Sequence, residues 1–64
     1  MPKVRIRLTH PMISQQILKE LREYWGDKPL TVYGYNPNGY FIVWDQQIAD
    51  WGMLDKRLCV PCEE

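Results

Sequence analysis

The sequence predicts a small α+β domain of βαββ order: a three-stranded, mostly antiparallel sheet, one long helix on one of its faces, and a short C-terminal helix plus tail. Three stretches predict it. "KVRIRL" alternates charged and apolar residues with period two, as a half-buried strand does. "MISQQILKELREYWG" carries apolar residues at spacings of three and four, the pattern of an amphipathic helix. "VYGYNPNGYFIVWD" sets a turn sequence between two apolar arms, as a hairpin does.

The first strand spans about residues 3–8. Val4, Ile6 and Leu8 take one side; Lys3, Arg5 and Arg7 take the other. The helix is expected over 11–25. Thr9 or Ser14 supplies its cap, and Pro11 fits a first turn, where its missing N–H costs nothing. Its apolar stripe is Ile13, Ile17, Leu18, Leu21, Tyr24 and Trp25. Gly26 is placed for a left-handed C-cap, and Pro29 prevents continuation.

Strands over 30–35 and 40–45 follow, joined by Asn36-Pro37-Asn38-Gly39. Asn, Pro and Gly in these places suit a type I turn with Gly39 at positive φ as a bulge residue. In that register Asn36 faces Tyr40, Gly34 faces Ile42 and Val32 faces Trp44. Leu30, Val32, Tyr40, Ile42 and Trp44 then share one side, from which Leu30, Val32, Ile42 and Trp44 meet the helix. Thr31, Tyr33, Tyr35, Phe41 and Val43 face away from it. "YFIVW" is the most continuously apolar strand and is placed in the centre, beside an antiparallel first strand. A parallel pairing of the first two strands through a right-handed crossover is the alternative.

Asp45 is positioned to cap a short helix over 46–52, ended by Gly52, with Ile48 and Trp51 on one face. Residues 53–64 form a tail in which "RLCV" adds a short edge strand before Pro61. Residues 46–60 are expected to fold back and cover part of the aromatic sheet face, leaving part of it open.

At 64 residues the chain makes one domain at most, residues 1–64. A chain of this size buries only about 60% of its unfolded surface. With 45% hydrophobic residues, three Trp and four Tyr, the composition is that of a globular protein. Eight basic and eight acidic residues cancel, so the whole-chain basic field usual for nucleic-acid binders is missing. No run approaches the roughly 18 apolar residues that span a bilayer. "MPKVRIRLTHP" has no signal-peptide core, and two cysteines are too few for a disulfide scaffold. The expectation is a cytoplasmic protein with no membrane partner.

The motifs that carry chemistry are few. Cys59 and Cys62, in "CVPC", have the spacing of half a tetrahedral zinc site, but no second pair exists and His10 is the only histidine. Only "EE" follows the pair, so the helix N-terminus that lowers thiol pKa values in redox sites is missing. Incidental or structural cysteines are expected, with no metal and no cofactor. Arg5 and Arg7, beside Tyr33, Tyr35 and Phe41, have the physical logic of a sheet that stacks bases and holds phosphates. The competing reading is a solvated strand face whose long aliphatic stems lie over rings. No acid pair, nucleophile–base pair or glycine-rich phosphate loop is legible, so no catalysis is expected.

The sequence therefore leads to a small non-catalytic protein-binding module of inhibitor or adaptor type. Its partner is another protein or a second copy of itself, met through Tyr33, Tyr35, Phe41, Arg5 and Arg7 on the aromatic sheet face. A nucleic-acid-binding module using the same five residues is the alternative, and a cysteine-pair metal or thiol module ranks below it. The βαββ outline by itself carries no function.

Overall fold

The computed structural model describes residues 1–62. The elements are β1 (Lys3–Ile6), α1 (Gln15–Trp25), β2 (Leu30–Thr31), β3 (Gly34–Asn36), β4 (Tyr40–Asp45), β5 (Asp50–Asp55), a 3-10 turn (Lys56–Leu58) and β6 (Cys59–Cys62). They build a compact α+β structure with one helix and two three-stranded antiparallel sheets, ordered β2-β1-β6 and β3-β4-β5.

The two sheets are linked through shared chain. The stretch from β2 to β3 bends from one to the other: Val32 N–H donates to the Pro2 carbonyl and Tyr33 N–H to the Ile42 carbonyl, each at 2.9 Å. On the other side β5 passes through the 3-10 turn into β6, which lies antiparallel to β1 from Cys59 beside Ile6 to Cys62 beside Lys3. The core lies between the sheets and comprises Val4, Ile6, Leu18, Val32, Val43, Leu54 and Cys59.

The helix begins at Gln15, not at residue 11. Ser14 is the cap, its Oγ accepting from Ile17 N–H at 3.2 Å. Residues 9–13 make a turn instead, held by a bond from Met12 N–H to His10 Nδ1 at 2.9 Å. Gly26 ends the helix at φ 84°, and its N–H reaches the Arg22 carbonyl at 2.7 Å. Of the predicted stripe, Leu18 is fully buried and Ile13, Leu21 and Trp25 pack against the core, whereas Ile17 and Tyr24 remain exposed. The helix does not lie on one face of a single sheet. Arg22 Nη1 donates to the Arg7 carbonyl just past β1 at 2.9 Å, while Tyr24 O–H donates to Asp45 of β4 at 2.7 Å. Trp25 lies against Gly52 of β5, where a Cβ would stand 3.0 Å from its ring.

The hairpin register is as the turn chemistry predicts: Asn36 faces Tyr40 and Gly34 faces Ile42. Gly39 has φ 95°, and its N–H bonds the Asn36 carbonyl at 2.9 Å. The faces, however, are reversed for β4. Val43 is fully buried and Phe41 packs on the core, while Tyr40 and Trp44 are exposed. A bulge in the preceding strand explains why Val32 and Trp44 do not share a face. Tyr33 and Gly34 are both set against Ile42, the first by its N–H and the second by register. Two residues against one shift the side-chain alternation by one position. Val32 therefore turns into the core and Tyr33 turns outward.

The largest departure follows β4. Residues 46–52 are not a short helix. Residues 46–49 are a turn and Asp50–Asp55 is a strand paired along all of β4, from Asp45 beside Asp50 to Tyr40 beside Asp55. Asp45 does cap the segment, but as a turn: its Oδ1 accepts from Gln47 N–H at 3.0 Å. Ala49 closes the turn at φ 50°. The central position of "YFIVW" holds, but its neighbours are β3 and β5; β1 is central in the other sheet. The returning segment thus widens the sheet edge-on and does not cover its face. No described helix is long and apolar enough to cross a membrane.

Candidate functional site

The pairing of β4 with β5 assembles one continuous outer face. Tyr40, Ile42 and Trp44 alternate outward along β4, with Asp55, Met53 and Trp51 opposite them on β5. The β-bulge adds Tyr33 to this side. Trp51 is the centre of a ring cluster. It meets Trp44 edge-to-face at 5.2 Å and 86°, and Tyr33 at 5.3 Å and 70°. Such pairs contribute about 0.5–1.5 kcal/mol each beyond area burial, so the cluster helps hold the three strands together.

Holding the sheet together does not account for the whole cluster, because the rings stay wet. Trp51 is 54% exposed, Tyr33 51%, Met53 57% and Trp44 40%. At roughly 150–250 Å² per large aromatic side chain, this leaves on the order of 400–500 Å² of adjoining apolar surface. The largest apolar patch on a typical monomer is about 300–600 Å² and is often functional, and this patch is of that size. The rim is polar. Arg57 Nη2 lies 2.7 Å from Asp55 Oδ2 beside Tyr40, and its guanidinium holds the Asp55 carboxyl down at about 2. At the other end Trp44 Nε1 donates to Gln46 Oε1 at 3.0 Å.

The five residues singled out from the sequence fall in four places. Tyr33 belongs to the outer aromatic face. Tyr35 and Phe41, a cross-strand pair, line a groove between the two sheets with Val4, Val32 and Lys56. Arg5 lines a separate hollow with Leu8, Arg22 and Val60. Arg7 is tied into the loop after β1: its Nε donates to the Thr9 carbonyl at 3.0 Å and its N–H to the Leu58 carbonyl at 2.8 Å. The base-stacking arrangement needs the arginines and the rings on one surface, and the fold separates them.

The residues missed were Trp44, Trp51 and Met53. The signal for Trp51 and Met53 was present as the alternation in "DWGMLD", with Trp51, Met53 and Asp55 on one side and Gly52 and Leu54 on the other.

The two cysteines point to opposite sides of β6. Cys59 is buried beside Ile6, and Cys62 lies beside Lys3. Three residues along a strand separate their Cα atoms by about 10 Å, beyond the roughly 7 Å that a disulfide can bridge. Burial pushes the Cys59 thiol up to about 11, the reverse of an activated nucleophile. Among the described residues no three potential metal ligands come together. Near the helix end, the hydrogen bond to Asp45 raises the Tyr24 phenol above its ordinary value, which favours the donating hydroxyl. Gln47 Nε2 also donates to the Tyr24 carbonyl at 2.7 Å, so these groups fasten the β4–β5 turn to α1.

No family model, curated protein or solved structure matches this chain.

Proposed function

We propose that this chain is a non-catalytic protein-binding module whose contact surface is the outer face of β3-β4-β5, and that its occupant is a second copy of the chain. The observation that carries the reading is the half-exposed cluster of Tyr33, Trp44 and Trp51 with Met53 beside it. Aromatic residues and Met are enriched at the buried centres of interfaces, with polar groups at the rim. The face has that composition. Its area fits a weak, concentration-dependent pair: a standard interface takes about 800 Å² from each partner, and this patch supplies about half of that. The chain has no net charge, so two copies meet without long-range repulsion.

Light scattering after size exclusion, over a wide concentration range, tests this. The wild-type chain should move from monomer to dimer as concentration rises. Trp51→Glu should stay monomeric. Met53→Glu, which leaves the ring cluster intact, should weaken the dimer while far-ultraviolet circular dichroism stays unchanged. A wild-type chain that is monomeric throughout, or a Met53→Glu dimer as tight as wild type, would overturn the reading.

A further inference from the structure

A second surface, distinct from the aromatic face, has the features of a small-molecule site. Where the chain bends from β2 to β3, the two sheets part and leave an apolar groove of about 400 Å³. Its floor is the outer edge of buried Val4, Val32 and Cys59. One wall is the cross-strand pair Tyr35 and Phe41. Tyr35 is 74% exposed, a large ring standing at the mouth of the groove. A smaller hollow of about 220 Å³ adjoins it and shares Tyr35, Phe41 and Lys56. Sites for small ligands are concave, largely apolar, roughly 300–1,000 Å³ in volume, and carry a few polar groups that fix orientation.

Among the described residues, Lys3 and Lys56 are the charged side chains lining the groove, and no carboxylate lines either hollow. The Lys56 backbone N–H is fixed to the Gly39 carbonyl at 3.0 Å, and its side-chain stem runs over Gly39, with Cε 3.6 Å from where a Cβ would stand there. Lys56 thereby lines both hollows. Among the described residues its ammonium forms no ion pair. Of the polar groups at the groove's floor, the Cys59 thiol is already turned to the Asp55 carbonyl at 3.7 Å.

We propose that this groove binds a small free carboxylic acid with an apolar body, the body lying over Val4, Val32 and Phe41 and the carboxylate meeting Lys56. The apolar part alone would select no particular hydrophobe. The Lys56 cation selects the anion, because a charge-assisted hydrogen bond at the edge of an apolar slot is about twice as strong as a neutral one.

The test is an NMR titration of the whole chain with octanoate, 1-octanol and acetate, each kept below its aggregation limit. Octanoate should shift the amides of Val32, Tyr35, Phe41, Lys56 and Cys59 saturably; octanol should bind at least about tenfold more weakly, and acetate not at all. Lys56→Gln should cost octanoate about tenfold, and Lys56→Arg should retain it. Anionic vesicles should leave these amides unmoved. The proposal is overturned if octanoate gives no saturable shift, if octanol binds as well, if the shifts centre on Trp44 and Trp51, if Lys56→Gln binds as wild type, or if vesicles reproduce the effect. None of these outcomes bears on self-association through the aromatic face.

Discussion

Gly39→Ala separates a backbone effect from a packing effect in this fold. Gly39 sits at φ 95°, in a region where an L side chain is strained. Its N–H and its carbonyl are both committed, to Asn36 at 2.9 Å and to Lys56 at 3.0 Å, so the turn cannot relax without losing both bonds. The added Cβ would meet Lys56 Cε at 3.6 Å, an ordinary contact with a flexible side chain. The cost is therefore conformational, about 1–2 kcal/mol. Gly34→Ala is the control. Its φ is not positive, and its Cβ would lie 3.8 Å from Ile42 Cδ1. There the loss of chain entropy in the unfolded state should make alanine neutral to stabilising by about 0.4–1 kcal/mol. A chain of this size has a total stability of roughly 3–10 kcal/mol, so a gap of about 2 kcal/mol between the two variants is large. In urea, with a slope near 1 kcal/mol per molar for so small a protein, Gly39→Ala should lower the midpoint by about 1–2 M. A Gly39→Ala midpoint equal to wild type, or a greater loss for Gly34→Ala, would refute the account of this hairpin.

Three further outcomes are expected. Leu18→Ala removes a fully buried side chain between helix and sheets and should cost about 3–5 kcal/mol by urea unfolding, enough to leave much of the chain unfolded; a loss below about 1 kcal/mol would show that the helix is not anchored there. Asp45→Ala deletes the acceptor for Tyr24 O–H and Gln47 N–H and should cost about 1–2 kcal/mol, at the low end for charged acceptors because both donors can reach water; in Asp45→Asn the Tyr24 phenolate absorbance should titrate at lower pH than in wild type. At neutral pH a thiol reagent should modify Cys62 well before Cys59. Because the folded-state Cys59 pKa lies above the ordinary thiol value, its protonated form favours the fold at pH below about 9, and that contribution should fade as pH rises toward about 11; equal labelling rates at neutral pH would contradict the burial of Cys59.

The local elements of this protein were legible because each rests on interactions within a few residues. Ser14 and Gly26 bound the helix through bonds to Ile17 N–H and the Arg22 carbonyl, one turn away. Asn36-Pro37-Asn38-Gly39 determines its turn, and the turn sets the Gly34–Ile42 register. The same local logic misread residues 46–52. Asp45 followed by Gln, Ile and Ala has a helix cap and good helix formers, and the residue that turns the chain, Ala49 at φ 50°, lacks the glycine or asparagine that usually marks such a position.

Tertiary structure decided the rest. Whether Tyr40, Ile42 and Trp44 or Phe41 and Val43 faced inward depended on which side the helix and the other sheet would cover, and both sides of "YFIVWD" were apolar enough to serve. Only the Tyr33–Gly34 bulge and the pairing of β5 along β4 settled it. The candidate surface followed from those same long-range choices. Tyr33 was legible as an exposed ring, but its partners Trp44 and Trp51 come from strands that meet only after the chain has turned twice. Arg5 points outward on β1 as its spacing demands and Arg7 follows in the loop after it, yet β1 lies in the other sheet. Period-two alternation says that two residues share a side of one strand; which strands share a surface is set by pairing between distant segments, where cross-strand contacts and burial outweigh any local preference.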